Sequence, residues 1–112
     1  MRELLESIQK FNKARDWEQF HSPKNLAIGL SIESAELLEI FQWMSEEDSF
    51  NLSAKQMSRV QEEIGDIIIY ALNLSNKLGF NPVDAACQKL KQNEIKYPVD
   101  KAKGNSKKYT DL

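Results

Sequence analysis

Four carboxylates fall in two pairs three residues apart: Glu33 and Glu36 in LSIESAELLEIFQW, and Glu63 and Asp66 in RVQEEIGDIIIYALNLSNKLG. On a helix, where each residue turns the chain by ~100°, such a pair shares one sector. Glu33 and Glu36 share theirs with Gly29, Ile40 and Trp43, while Ser31, Ser34 and Gln42 lie opposite. Glu63 and Asp66 form a stripe with Tyr70 and Asn73, bordered by Ile67, Leu74 and Ile69. Both acidic pairs therefore sit on apolar faces, where a solvated ladder of charges is out of place. If the two faces pack together, four negative charges meet, and each like-charge pair at ~4 Å costs about 4 kcal/mol at an effective dielectric of ~20.

Proton uptake, pairing with Lys or Arg, or a bound dication relieves such a cluster. Arg59, one turn before Glu63, brings a single positive charge against four carboxylates. A metal ion is the economical relief, and oxygen-only ligation selects a hard ion, Mg²⁺ or Mn²⁺, of which Mg²⁺ keeps waters and binds phosphates. Other metal chemistry fails on inventory. Zinc wants Cys and His ligands, and the chain has one of each, Cys87 and His21, in unrelated segments. Di-iron bundles use Glu-x-x-His, which neither Glu33 nor Glu63 begins, and no calcium loop of the EF-hand type is present.

Helices must position these acids. Leu4, Leu5, Ile8 and Phe11 are spaced for one face of a first helix, which NKARDWEQFH leads out of. Ser22 is placed as an N-cap with Pro23 at the first helical position, and the second helix is expected to run to about Met44. SEEDSFNLS reads as a connection. Ser53 and Gln56 match a capping box that opens a third helix, with Leu78 as its end and Gly79 as its stop. Asn81-Pro82 starts a fourth helix that reaches Lys96, because Pro98 disfavours helix for Tyr97. No segment alternates with period two, and IIIY at Ile67 to Tyr70 lies inside a longer helical pattern. The expectation is an all-α fold of four to five helices in a single domain, 1–112, whose residues 98–112 form an extended tail.

Composition narrows the function. With 15 Lys plus Arg against 17 Asp plus Glu in 112 residues, the chain lacks the basic excess that wraps a nucleic acid polymer. Cys87 is the only cysteine, so no internal disulfide forms and a reducing, cytoplasmic setting is expected. No apolar run approaches the ~20 residues of a membrane span, and the N-terminus reads as neither membrane anchor nor targeting segment.

Glu33-Ser-Ala-Glu36 and Glu63-Ile-Gly-Asp66 resemble the ExxE and ExxD motifs of the MazG-like, all-α nucleotide pyrophosphohydrolases. DWEQFHSPKNL, ELLEIFQW, EEIGDIIIY, the K-x-x-x-N-x-x-K-Y-P pattern from Lys89 to Pro98 and the terminal KKYTDL are similar to the branch that includes the dCTP pyrophosphatases. The resemblance covers the chain from about Phe11 to Leu112. It implies a helical bundle completed by homo-oligomerisation into dimers or tetramers, and Mg²⁺-dependent hydrolysis of a nucleoside triphosphate between its α- and β-phosphates. The task it suggests is nucleotide-pool sanitation.

By this resemblance Glu33, Glu36, Glu63 and Asp66 are the metal ligands, one of which would also orient or deprotonate the attacking water; Glu39 and Glu62 are reserves in the same sectors. Lys89, Asn93 and Lys96, at i, i+4 and i+7, give the fourth helix a cationic face for the triphosphate. Tyr70, one turn beyond Asp66, can donate its hydroxyl to the phosphates. Trp17 and Trp43 are the expected base-stacking residues, with Phe20, His21, Lys24 and Asn25 beside Trp17. Eukaryotic dCTP-cleaving relatives tend to carry a histidine where this chain has Ile8. A deoxynucleotide, dCTP first, is the expected substrate.

Ala35 and Leu38 on the second helix, and Ile64, Ile68 and Leu72 on the third, leave apolar groups on more than one face, which predicts a homo-oligomer. The alternative is a non-catalytic helical module that binds nucleotide or protein and keeps its acids for structure.

Overall fold

The computed structural model describes residues 1–112 and is built from helices: α1 (Arg2–Ala14), α2 (Pro23–Phe41), α3 (Glu46–Ser49), α4 (Ala54–Leu78), α5 (Pro82–Lys96) and α6 (Val99–Ala102), with 3₁₀ turns at Glu18–Phe20 and Tyr109–Asp111. No residue is in a strand, so the all-α expectation holds. The chain divides into two compact units, Met1–Gly79 and Phe80–Leu112. No helix is long and apolar enough to cross a membrane.

Short polar side chains set where the helices begin. Ser22 Oγ accepts the Asn25 N–H at 3.1 Å, with Pro23 next in line, and opens α2. Ser53 and Gln56 close a reciprocal capping box at the head of α4, with bonds of 3.1 and 2.9 Å. Asn81 Oδ1 accepts from Val83 and Asp84 at the head of α5. Gly79 ends α4 in the left-handed conformation, φ 81°, which a residue without Cβ adopts at no steric cost.

Three stretches are more helical than the sequence reading expects. The first helix continues to Ala14, with Lys13 favourably placed in its last turn, and the chain reverses only at Asp16, at φ 54°. The connection after α2 holds α3, because Ser45 caps it and Glu46, Glu47 and Asp48 suit the positive end of a helix. The tail, expected to be extended, forms the turn of α6 after Pro98 and the 3₁₀ turn at Tyr109–Asp111. The opposite error occurs in α2, which stops at Phe41 rather than near Met44.

In the first unit α2 packs along α4, and α1 also meets α4. Ile8, Leu26, Ile40 and Leu72 are its buried apolar side chains; Asn12 and Ser75 are the buried polar residues. Gly29 governs how closely the long pair approaches. A Cβ built there would stand 2.6 Å from Tyr70 Cζ and 2.9 Å from its Cδ1, so the tyrosine ring lies directly on the glycine backbone. With Gly29 against Tyr70 and Glu33 beside Glu63 and Asp66, numbers rise along α2 as they fall along α4, and the pair is antiparallel.

Gly29→Ala is expected to destabilise by ~1–3 kcal/mol through overpacking. In a Tyr70→Ala background the same substitution should instead stabilise by up to ~1 kcal/mol, since only the better helix propensity of alanine remains. Urea unfolding of the four members of this cycle reads the change of sign.

Candidate active site

The antiparallel register brings the acids together. Glu33 and Glu36 of α2 and Glu63 of α4 each offer a carboxylate oxygen, and these atoms lie within 4.8 Å of one another. All three residues are half-buried. Oε2 of Glu33 and Oε2 of Glu63 are fully buried and have no hydrogen-bond partner. Asp66 is exposed, lines the same cleft as Glu33 and adds to its negative surroundings. The first unit contains one ion pair, Arg2 with Glu6 at 4.0 Å, so Arg59 leaves the carboxylates uncompensated.

The electrostatic consequence falls on Glu33. Burial pushes its carboxyl up to about 7 from the usual 4.5, and the neighbouring carboxyls of Glu63, Glu36 and Asp66 add to the rise. Buried oxygens without donors, in a set that is oxygen-only and negatively charged, fit a hard divalent cation. They do not fit a structural role in water, where every lone pair would be solvated.

Beside the acids lies a cleft of about 430 Å³ lined by α1, the segment after it, α2 and α4, a size typical of small-molecule sites. Glu33, Asp66, Tyr70, Trp17 and His21, all expected from sequence to serve a site, line this one cleft. Trp17 is held by local geometry. The left-handed turn at Asp16 reverses the chain, the Trp17 N–H donates to the Asn12 carbonyl at 3.0 Å, and the indole meets Phe11 edge-to-face at 5.4 Å and 76°. The indole stays 44% exposed, enough to leave an aromatic face open for stacking.

Other expected residues lie elsewhere. Trp43 follows the end of α2 and is 89% exposed, outside the cleft lining. Lys24 and Asn25 are exposed on the first turn of α2, where the Asn25 amide is taken up by the Phe20 carbonyl at 3.0 Å. Lys89, Asn93 and Lys96 belong to α5 in the second unit. There Lys96 is near enough to Lys89 to hold its ammonium below the usual lysine range, and Lys96 Nζ also stands 4.7 Å over the Tyr109 ring.

The cleft also contains Ile8, whose position the resemblance sets beside the base, and residues that the sequence reading did not assign to a site, Ser7, Phe11, Asn12, Ile69 and Asn73. A signal existed for Asn73, which shares the stripe of Glu63, Asp66 and Tyr70. Asn12 gave one only if α1 is known to continue past Phe11, which makes it the next residue on the Ile8 face.

Glu33 gives the metal-free protein a pH dependence of definite sign. Between pH 4.5 and 7 the folded chain keeps a proton that the unfolded chain has released, so stability is lost as pH rises through that window. Calorimetric melting in EDTA is expected to show Glu33→Gln matching the unsubstituted protein near pH 4 and exceeding it at pH 8. Adding a divalent cation at pH 8 should raise the melting temperature of the unsubstituted protein and leave that of the variant nearly unmoved.

Comparison with known proteins gives the chain its relatives. The family model described as "MazG-like family" matches residues 28–112. Proteins named dCTP pyrophosphatase 1 are 38% identical in Mus musculus, over 96% of this chain and 67% of the mouse protein, and 39% identical in Bos taurus, over 96% and 68%. The human protein of that name is 37% identical over 96% of this chain and 67% of its own length. Among solved structures, the crystal structure of a pyrophosphatase from Archaeoglobus fulgidus superposes with a TM-score of 0.83 at 45% identity, covering 88% of this chain and 92% of that one. The acid-bearing helix pair and these likenesses, which span most of the chain, lead to one conclusion: the chain belongs to the MazG-like family, in the branch that includes the dCTP pyrophosphatases.

Proposed function

We propose that this nucleotide pyrophosphohydrolase converts a deoxynucleoside triphosphate, dCTP first among them, to the monophosphate and pyrophosphate with Mg²⁺ as cofactor. The observation that carries the proposal is the pair of buried, partnerless oxygens on Glu33 and Glu63, beside a cleft that offers an aromatic face. The names of the relatives, dCTP pyrophosphatase and pyrophosphatase, agree with it.

In this reading Glu33, Glu36, Glu63 and Asp66 hold the ion. When bound, Mg²⁺ supplies positive charge that neutralises phosphate oxygens and makes water more acidic. The reaction forms a bond from a water oxygen to phosphorus, breaks the anhydride link between the α- and β-phosphates and releases a proton. Trp17 takes the base on its open face and His21 borders it. The Tyr70 hydroxyl donates to the phosphates, its ring kept in place by Gly29. Lys89, Asn93 and Lys96 are the triphosphate ligands of the proposal: two cations that repel each other on one helix gain from an anion that neutralises both.

Assembly is part of the same proposal. Ile28, Ile32 and Leu38 of α2 and Ile64 and Ile68 of α4 remain exposed, while four apolar side chains in the whole chain are buried. An apolar surface of that kind on a small chain is covered by a second copy at low cost. Trp43, Lys24 and Asn25, exposed on the single chain, would then contribute to a site across a subunit boundary. Sedimentation should give a multiple of 12.9 kDa, and Ile32→Glu with Ile68→Glu should shift it towards the single chain.

Incubation with each common nucleoside triphosphate, with and without Mg²⁺, followed by chromatography, tests the activity. Monophosphate and pyrophosphate are expected. Release of orthophosphate with a diphosphate, or no product from any triphosphate, overturns the proposal and favours the non-catalytic module. Glu63→Gln should lower turnover by at least ~100-fold, by comparison with losses seen when metal sites are disturbed, with helical content unchanged by circular dichroism. Lys89→Ala should weaken binding of the triphosphate more than of the monophosphate.

A further inference from the structure

Asn12 and Asn73 put two amides into a cleft whose apolar lining is Ile8, Phe11, Trp17 and Ile69. Asn12 is 7% exposed, one of only two buried polar residues in the chain. Its Nδ2 donates to Asn73 Oδ1 at 2.8 Å, and this is the only hydrogen bond that either side chain makes. An asparagine amide carries one carbonyl acceptor and two N–H donors. The mutual bond therefore leaves Asn12 Oδ1 as a free acceptor and Asn73 Nδ2 as a free donor. Neither atom is among the buried partnerless ones, so both stay open to the cleft, where a ligand with a matching edge can replace water on them. The same Asn12 fixes the aromatic wall, because its backbone carbonyl accepts the Trp17 N–H at 3.0 Å.

We propose that Asn12 and Asn73 are the base-reading pair of the cleft, presenting one donor and one acceptor to the hydrogen-bonding edge of a nucleobase held against Trp17. The proposal rests on the nucleotide reading of the cleft given above. The pair is symmetric in a way that a single side chain is not. If both amides make a half-turn together, Asn73 Nδ2 donates to Asn12 Oδ1, and the free groups become Asn12 Nδ2 and Asn73 Oδ1. The mutual bond survives, and no third partner locks either orientation. Ile8, one turn earlier on the same helix face and 6% exposed, adds no polar group that would favour one of them.

Cytosine shows an amino donor beside a ring acceptor; thymine shows an oxo acceptor beside a ring N–H donor. Each meets its complement in one of the two orientations. Recognition by this pair demands adjacent donor and acceptor groups but does not separate 4-amino from 4-oxo pyrimidines. The substrate class is thereby widened from dCTP to deoxynucleotides whose base shows an adjacent donor and acceptor on that edge, the 4-amino and 4-oxo pyrimidines alike.

Calorimetric titration of the full chain in its native assembly, with Mg²⁺ present, tests this with dCMP, dTMP and 2-deoxyribose 5-phosphate as the base-free control. The two nucleotides are expected to bind within about tenfold of each other. Asn73→Ala should weaken both by about tenfold, the worth of a hydrogen bond to an uncharged group, and leave the base-free control unmoved. Asn12→Ala should do the same, with the double variant little worse than either, because the pair acts as a unit. Should the buried Asn12 variant fail to fold, the half-buried Asn73 variant, checked by its melting temperature, carries the test alone. Unchanged nucleotide affinity in Asn73→Ala, an equal loss for the base-free control, or a preference above tenfold for one nucleotide overturns the base-reading role. A protein that binds as described yet hydrolyses no triphosphate keeps the pair and overturns the catalytic reading instead; one that binds neither nucleotide overturns both.

Discussion

Repulsion between carboxylates across the α2–α4 seam is the constraint on which the remaining structure turns. Chains do not ordinarily place Glu33, Glu36 and Glu63 within 4.8 Å of one another and strip two of their oxygens of partners. Helix packing has to hold them there against their own charge. The contact that does so most directly is Tyr70 on Gly29, one turn from Glu33 on α2 and two turns from Glu63 on α4, where the missing side chain lets the tyrosine ring lie against backbone. Burial first, and the neighbouring carboxyls second, raise the proton affinity of Glu33 at this seam. A cation bound among these acids would relieve the repulsion, because it neutralises their charge.

Much of this was legible in the sequence, for reasons that are local. Ser22, Ser53 and Asn81 announce helix starts because a short oxygen-bearing side chain satisfies free N–H groups at once, within three residues. One acidic pair at three-residue spacing reads as a solvated face; two such pairs, each flanked by apolar residues on helices that can pack together, announce themselves because four like charges would then meet. What escaped was geometry that depends on where elements stop. Trp43 shares the Glu33 sector only if the helical wheel continues, and α2 ends two residues earlier at Phe41. Asn25 looks like a free amide beside Trp17, yet it is consumed by the Phe20 carbonyl. The extra turn of α1 hid Asn12, whose partner, Asn73, lies 61 residues away, a separation that no window of periodicity spans.

One acidic motif and one of the two asparagines share α4, while their partners come from α2 and α1. Along α4 the residues 63, 66, 70 and 73 keep to one stripe, so a single face carries two carboxylates, a hydroxyl and an amide. Ordering these groups along one rigid element fixes their spacing by the helix rise alone. Loops contribute only Trp17 and His21, and both are anchored by backbone bonds, Trp17 to Asn12 and His21 to Glu18.

The contrast between the two indoles has a practical consequence. One is wedged edge-on against Phe11 in the cleft, while the other stands almost wholly in solvent beyond the end of α2. Their emission spectra therefore report different surroundings, the bluer band belonging to Trp17. The molecule carries an intrinsic optical gauge of what enters its cleft, with no need of a dye.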